Sequence, residues 1–189
     1  MPGLLGGEHH FNNLPMIIRC TQKLLSELKL KPAVVESSAD SFWCWHANMF
    51  YIERRKCVLI TNDKTLFCLF IPSLKKPDFQ SLHYVFGQSL FKNMLYEQIS
   101  QNQIEAVLNQ CQEIQYGKTN SRSVLGSMND QRFQLEYFIQ SKGGLAQTNV
   151  YELNHHLNRT IMGAIQCKHP IEAFSEQLIF LSQTSGTVH

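Results

Sequence analysis

The stretch from Asn48 to Ile71 constrains the fold more than any other part of the chain. Three short runs, Met49-Phe50-Tyr51-Ile52, Cys57-Val58-Leu59-Ile60-Thr61 and Leu66-Phe67-Cys68-Leu69-Phe70-Ile71, are rich in aromatic and β-branched residues and are separated by short polar spacers. Such side chains pack well on a pleated surface, so the runs predict three antiparallel strands joined by hairpins. A turn centred on Arg54-Arg55 would set Glu53 opposite Lys56. One centred on Asp63-Lys64 would set Thr61 opposite Leu66 and Leu59 opposite Cys68. The runs are nearly continuous in apolar character rather than alternating, so both sheet faces are expected to be covered, by helices or by barrel closure.

On either side of this run the pattern is mixed. Met16 to Cys20 reads as a short strand, followed by a helix with Leu24, Leu25 and Leu28 on one face that stops before Pro32. Ser37 to Ser41 read as a loop, and the cluster Phe42-Trp43-Cys44-Trp45 as a return to the core. After Pro72 apolar residues recur at three and four: Phe79, Leu82, Phe86, Leu90 and Met94 predict one helix, and Ile104, Val107, Leu108 and Cys111 a second behind Ser100-Gln101-Asn102-Gln103. Ile114 and Tyr116 alternate as in a further strand. A helix is predicted from about Asp130 to Ser141, capped by Ser127 or Asn129 and stopped at Gly143-Gly144. Asn149 with Glu152 starts another, with Val150, Leu153 and Leu157 inward, and Pro170 suits the first turn of a last helix over 171–181. A strand run followed by helices predicts an α+β fold with a mostly antiparallel sheet flanked by helices. The expected organisation is one domain over 16–182, with residues 1–15 as a flexible extension and 183–189 as a flexible tail.

Composition excludes some functions. With 189 residues, 43% of them hydrophobic and 17% charged, the chain is long enough for a sizeable core. No apolar run approaches the roughly 18 residues of a membrane span, and residues 1–15 lack the basic and apolar regions of a secretory signal. The expectation is a cytoplasmic protein with no membrane partner. Cys20, Cys44, Cys57, Cys68, Cys111 and Cys167 are scattered over strand and helix patterns, as buried thiols in a reducing compartment would be. The net charge of +2 is unevenly spread, because residues 1–92 hold eleven Lys/Arg against seven Asp/Glu. That imbalance is mild for a strongly nucleic-acid-binding domain, yet Arg54-Arg55-Lys56 and Lys75-Lys76 are local basic clusters.

Candidate chemistry gathers in two places. The polar segment from Lys118 to Asp130 offers Lys118, Arg122, Ser123, Ser127, Asn129 and Asp130 for a phosphate: the cations supply charge-assisted donors, and a helix start near Ser127 adds free N–H groups. The alternative is that Ser127 and Asp130 only cap the helix. Arg54, Arg55 and Lys56 form the second candidate binding set. Gly126 lacks the Gly-x-x-x-x-Gly-Lys-Ser/Thr spacing of a nucleotide loop, which disfavours ATP or GTP hydrolysis. His155-His156 would point about 100° apart on a helix and so do not easily serve one site. Cys44 and His46 supply two metal-ligand types without a second pair, so no metal site is expected. Asn158-Arg159-Thr160 matches a glycosylation sequon, which has meaning only in a secreted protein.

Three segments taken together, Met16-Ile17-Ile18-Arg19-Cys20-Thr21, Tyr51-Ile52-Glu53-Arg54-Arg55-Lys56-Cys57 and Lys118 to Asp130, give the chain its one family likeness. In them it resembles a bacterial family described only as a domain of unknown function, over roughly Met16 to Pro170. The resemblance implies a bacterial, cytoplasmic domain and carries over no catalytic residue. From the residues themselves, the first functional expectation is a binding or regulatory module for nucleic acid or another phosphate-bearing ligand, through Arg54, Arg55, Lys56 and the Lys118 to Asp130 segment. The alternatives are an enzyme acting on a phosphate ester, with Arg122 or Lys118 stabilising charge and Asp130 as acid, base or metal ligand, and a protein-interaction domain.

Overall fold

The computed structural model of the protein describes residues 15–31, 33 and 42–185. Its strands are β1 (Met16–Cys20), β2 (Cys44–Ile52), β3 (Arg55–Asn62), β4 (Cys68–Ile71) and β5 (Ile114–Lys118), joined in one sheet of order β4-β3-β2-β1-β5. Its helices are α1 (Gln22–Leu28), α2 (Lys76–Gln80), α3 (Leu82–Tyr96), α4 (Gln101–Gln110), α5 (Arg122–Ser141), α6 (Val150–Leu157) and α7 (Pro170–Ser185). The fold is α+β. The expectations for the extension (apart from Pro15), for the stop at Pro32 and for the loop from Ser37 to Ser41 lie outside the described residues, as do residues 186–189 of the tail. Residues 183–185 belong to α7.

The sheet is mixed rather than mostly antiparallel. The hairpin pairs β2–β3 and β3–β4 are antiparallel as expected, but β1 runs parallel to both β2 and β5. Parallel neighbours need a crossover, and α1 lies in the connection from β1 to β2, while β5 follows three further helices. Both faces are covered, as the continuous apolar runs require. Ile18, Cys20, Trp45, Met49, Val58, Ile60 and Leu69 pack with Leu24 of α1, Phe86 and Leu90 of α3, Ile104 of α4 and Phe174 of α7. On the opposite face Phe50, Leu59, Cys68 and Phe70 pack with Met128 and Leu135 of α5 and Leu153 and Leu157 of α6.

Both hairpins turn elsewhere than predicted. The first is centred on Glu53-Arg54, which pairs Tyr51 with Lys56 and Ile52 with Arg55. Both central residues are left-handed, at φ 47° and 63°, the conformation a two-residue hairpin needs to match strand twist. Glu53 also has a tertiary anchor, because its Oε1 accepts the Leu145 N–H at 2.9 Å. Gly144 must be glycine for the same contact: its φ is 115°, and a Cβ there would stand 2.7 Å from Glu53 Oε1. In the second hairpin Thr61 faces Cys68 and Leu59 faces Phe70, two residues beyond the expected register. The longer loop is held by Asn62, whose Oδ1 accepts from the Lys64 and Thr65 N–H groups and from the Thr65 hydroxyl. A shift of two leaves each side chain on its intended face.

The largest departure is at α5. It begins at Arg122, not near Asp130, and its cap is Ser121, whose hydroxyl accepts the Val124 N–H at 3.2 Å. Val124, Met128, Gln131 and Leu135 extend the inward stripe upstream, so the polar residues read as a connection are mainly the solvent side of a helix. Ser127 is buried within α5 and caps nothing. The helix predicted through Phe79 and Met94 is two, α2 and α3, breaking at Ser81.

The edge strand β4 is closed by two asparagines of α6 and its C-terminal cap. Asn158 Oδ1 accepts the Cys68 N–H at 2.7 Å and its Nδ2 donates to Cys68 O at 2.9 Å. Asn154 treats Phe70 in the same way, at 2.8 and 3.5 Å, and Asn93 holds Asn154 Nδ2 at 2.9 Å. Residues four apart on a helix thus match backbone groups two apart on a strand.

Thiol reactivity follows from this packing. No disulfide joins the six cysteines; Cys20, Cys44, Cys57 and Cys68 are buried, whereas Cys167 is exposed. Burial pushes Cys20 and Cys111 up to about 12 and Cys68 higher still, so their thiolate population near neutral pH is negligible. A maleimide at pH 7 should modify Cys167 first and reach the four buried thiols only after denaturant is added. Fast labelling of Cys20 or Cys68 in the folded protein, read by peptide mass, would contradict the packing described.

Candidate basic groove

The two basic clusters of the sequence meet in space. A groove of about 550 Å³ is lined by Tyr51, Arg54, Arg55, Lys56, Ser73, Leu74, Lys75 and Lys76, with no acidic residue among them. Arg54 and Arg55 stand at the tip and start of the β2–β3 hairpin. Lys75 and Lys76 arrive from the connection into α2, which folds back because the Leu74 N–H donates to Lys56 O at 2.9 Å and Ser73 takes a left-handed φ of 60°.

The cations are not equivalent. Lys56 Nζ lies 2.5 Å from Glu27 Oε1 of α1 and 5.6 Å from the centroid of the Phe79 ring. The Glu27 hydrogen bond raises its pKa, so Lys56 is a tie between β3 and α1 as well as a groove wall. Among the described residues, the side chains of Arg54, Arg55 and Lys76 engage no acid. Tyr51 is 49% exposed, and Lys23 Nζ of α1 sits 4.7 Å from its ring centroid. Sequence reading had no means of finding Tyr51 or Lys23 here, since one belongs to a strand pattern and the other to a helix 28 residues earlier. Asp78 caps the backbone of Lys75, its Oδ2 accepting that N–H at 2.6 Å.

The second predicted set lies elsewhere. Tyr51 and Lys56 project to the sheet face that carries α1, whereas Arg122, Ser123, Ser127, Asn129 and Asp130 all belong to α5 on the other face. Glu53 ties the hairpin tip to Leu145, just past the C-terminal end of α5, and the 20 residues of α5 span about 30 Å. Arg54 and Arg122 are therefore far apart and cannot grip one ligand atom. Within the set, Lys118 ends β5 and is exposed, and Arg122 and Ser123 open α5. Ser127 and Asp130, roughly two turns on, line a shallow cavity of about 400 Å³ with Phe133, Gln134 and Ile161. Asn129 is exposed on the helix surface.

His46, His155, His156 and the sequon asparagine have structural partners. His46 is fully buried; its Nδ1 lies 2.6 Å from Asp63 Oδ1, and its Nε2 lies 3.3 Å from the Asn120 N–H. Nδ1 therefore donates and Nε2 accepts, and the ring fixes the connection between β5 and α5. His155 meets Glu97 at 3.2 Å, while the ring of His156 lies against Phe138, so the adjacent pair serves two neighbourhoods. Among the described residues no three His, Cys, Asp or Glu gather to hold a metal ion. Asn158, buried and paired to Cys68, presents no amide for a glycan in the folded protein.

A family model described as "Domain of unknown function (DUF6933)" matches residues 17–173. The chain belongs to the DUF6933 family. The DUF6933 match opens in β1 and closes in the first turn of α7, so it contains the sheet but for Met16, the basic groove and α5. No curated protein and no solved structure matches the chain. No helix among the described residues is long and apolar enough to cross a membrane.

Proposed function

We propose that the protein binds single-stranded nucleic acid along the basic groove. The observation that carries this reading is the meeting of Arg54, Arg55, Lys75 and Lys76 in one acid-free groove beside the half-exposed ring of Tyr51. Cations that track a sugar-phosphate chain, together with an aromatic face on which a base stacks, are the two elements of sequence-tolerant single-strand binding. The groove has Tyr51 on its wall, and an unpaired strand can lay a base face against that ring where the stacked bases of a duplex cannot.

Fluorescence anisotropy with short single-stranded DNA and RNA, titrated over a range of salt, tests it. Released counterions make log affinity fall with log salt by about 0.7 per phosphate contacted on a single strand. Arg54→Glu with Arg55→Glu should weaken binding and flatten the slope by about 1.4, the share of two phosphates. Tyr51→Ala should cost about 1–3 kcal/mol with the slope unchanged, because stacking releases no counterion. Affinity for either strand that is absent, or indifferent to both variants, overturns the proposal.

A further inference from the structure

The carboxyl end of β1 holds a largely buried arginine that pairs with no acid among the described residues. Arg19 is 4% exposed, and among the described residues its guanidinium makes no hydrogen bond or ion pair. A guanidinium held in a largely buried side chain, with no acid to pair it, is a ready donor for an anion that reaches its remaining exposed edge.

Its surroundings supply the rest of a site. Arg19 is paired in register with His46 on β2 and Gly117 on β5, and it leaves β1 on the face opposite Ile18 and Cys20. That is the face of α5. Gly117 puts no side chain beside it. The imidazole of the neighbouring His46 receives the Asn120 N–H, which draws the connection into α5 over the same spot. Of the first N–H groups of α5, that of Val124 is taken by the Ser121 hydroxyl and that of Leu125 by Ser121 O. Those of Arg122 and Ser123 have no acceptor among the described residues. No acid stands in that first turn, and 20 aligned peptide units direct their positive end there.

The chain path gives the same place. After β1 the chain passes to α1 on one face, and after β5 it passes to α5 on the other, although β1 and β5 are adjacent and parallel. Connections that leave neighbouring parallel strands for opposite faces open a crevice at their carboxyl ends, the position where open α/β sheets take ligands.

We infer that this crevice binds the phosphate group of a small phosphate monoester, with the Arg19 guanidinium beneath it and the Arg122 and Ser123 N–H groups at its rim. A largely buried arginine and a helix start match a dianion with three free oxygens better than a carboxylate. The site stands apart from the groove, on the other face of the sheet and at the other end of α5. It requires nothing of the nucleic-acid reading.

Inorganic phosphate is the probe, compared with chloride at equal ionic strength and followed by calorimetry and by thermal unfolding of the full chain. Phosphate should bind saturably and raise the melting temperature. Arg19→Met should abolish that response while raising the melting temperature measured without phosphate, because an apolar side chain replaces an unpaired buried charge. Arg122→Pro removes one N–H and one guanidinium yet suits the first position of a helix, so it should fold normally and bind phosphate roughly 10–100-fold more weakly. Arg54→Glu with Arg55→Glu should leave phosphate binding intact, which separates this site from the groove. Wild-type protein indifferent to phosphate overturns the inference, as does an Arg122→Pro variant that folds and binds phosphate undiminished.

Discussion

Replacing Asn158 by alanine is expected to destabilise the protein by about 2–6 kcal/mol, because two buried backbone groups of Cys68 lose their partner at roughly 1–3 kcal/mol each. That is a large share of the roughly 5–15 kcal/mol by which domains exceed their unfolded states. Cys68 N–H and C=O are both held by this one amide, at 2.7 and 2.9 Å, on a strand with no further strand neighbour among the described residues. Urea unfolding of the variant measures the loss, and a change under about 0.5 kcal/mol would mean that water satisfies the edge. Asn158→Asp sharpens the test. A carboxylate can accept from the Cys68 N–H but repels the Cys68 carbonyl, whereas the protonated acid can accept and donate as the amide does. The buried acid's pKa is raised on folding, so the folded state binds more protons than the unfolded one. The stability gap to wild type should therefore be widest at pH 7 and narrow as pH falls through the raised pKa.

Phe174→Ala should cost about 3–5 kcal/mol, the range for emptying a buried aromatic site. Phe174 is fully buried, stacks on Phe67 at 4.3 Å between ring centroids, and meets Phe42 and Trp45 at 5.1 and 6.3 Å. These rings come from β2 and the turn before it, the β3–β4 loop and α7, so the residue joins three parts of the chain. The matched family stretch ends at residue 173, one residue short of it. A chain cut after Ala173 should accordingly fail to give a cooperative unfolding transition. A truncated protein that melts at the wild-type temperature would show that α7 only lies on the core.

The hairpin strands are legible in the sequence because aromatic and β-branched runs divided by polar spacers have few other uses. The direction of β1 is not, since the run Met16 to Cys20 carries no record of its neighbours. Turn centres escape because Glu53 and Arg54 take left-handed conformations without glycine, and Glu53 is held there by Leu145, 92 residues away. The start of α5 is hidden by its own polar face, which has the composition of a connection. Of the sites, the basic clusters are visible but their meeting is not, because it depends on the Leu74 N–H reaching Lys56 O. Arg19 has a sequence signal, a lone charge inside an apolar strand, that is easily taken for an edge residue.

The place of β1 between β2 and β5 has a consequence for how the chain is made. Its partners across the β1–β5 seam are separated by roughly a hundred residues, which at about 5–20 residues per second is several seconds of synthesis. Once β2 has been made, β1 can pair on one side only and keeps a row of open backbone groups on the other until β5 arrives. Pairs so distant in sequence also carry a large loop-closure cost, so the seam is expected to close late in refolding. A nascent chain of this kind is most exposed to mispairing just before β5 emerges, and its first strand is then the place where a chaperone has something to hold.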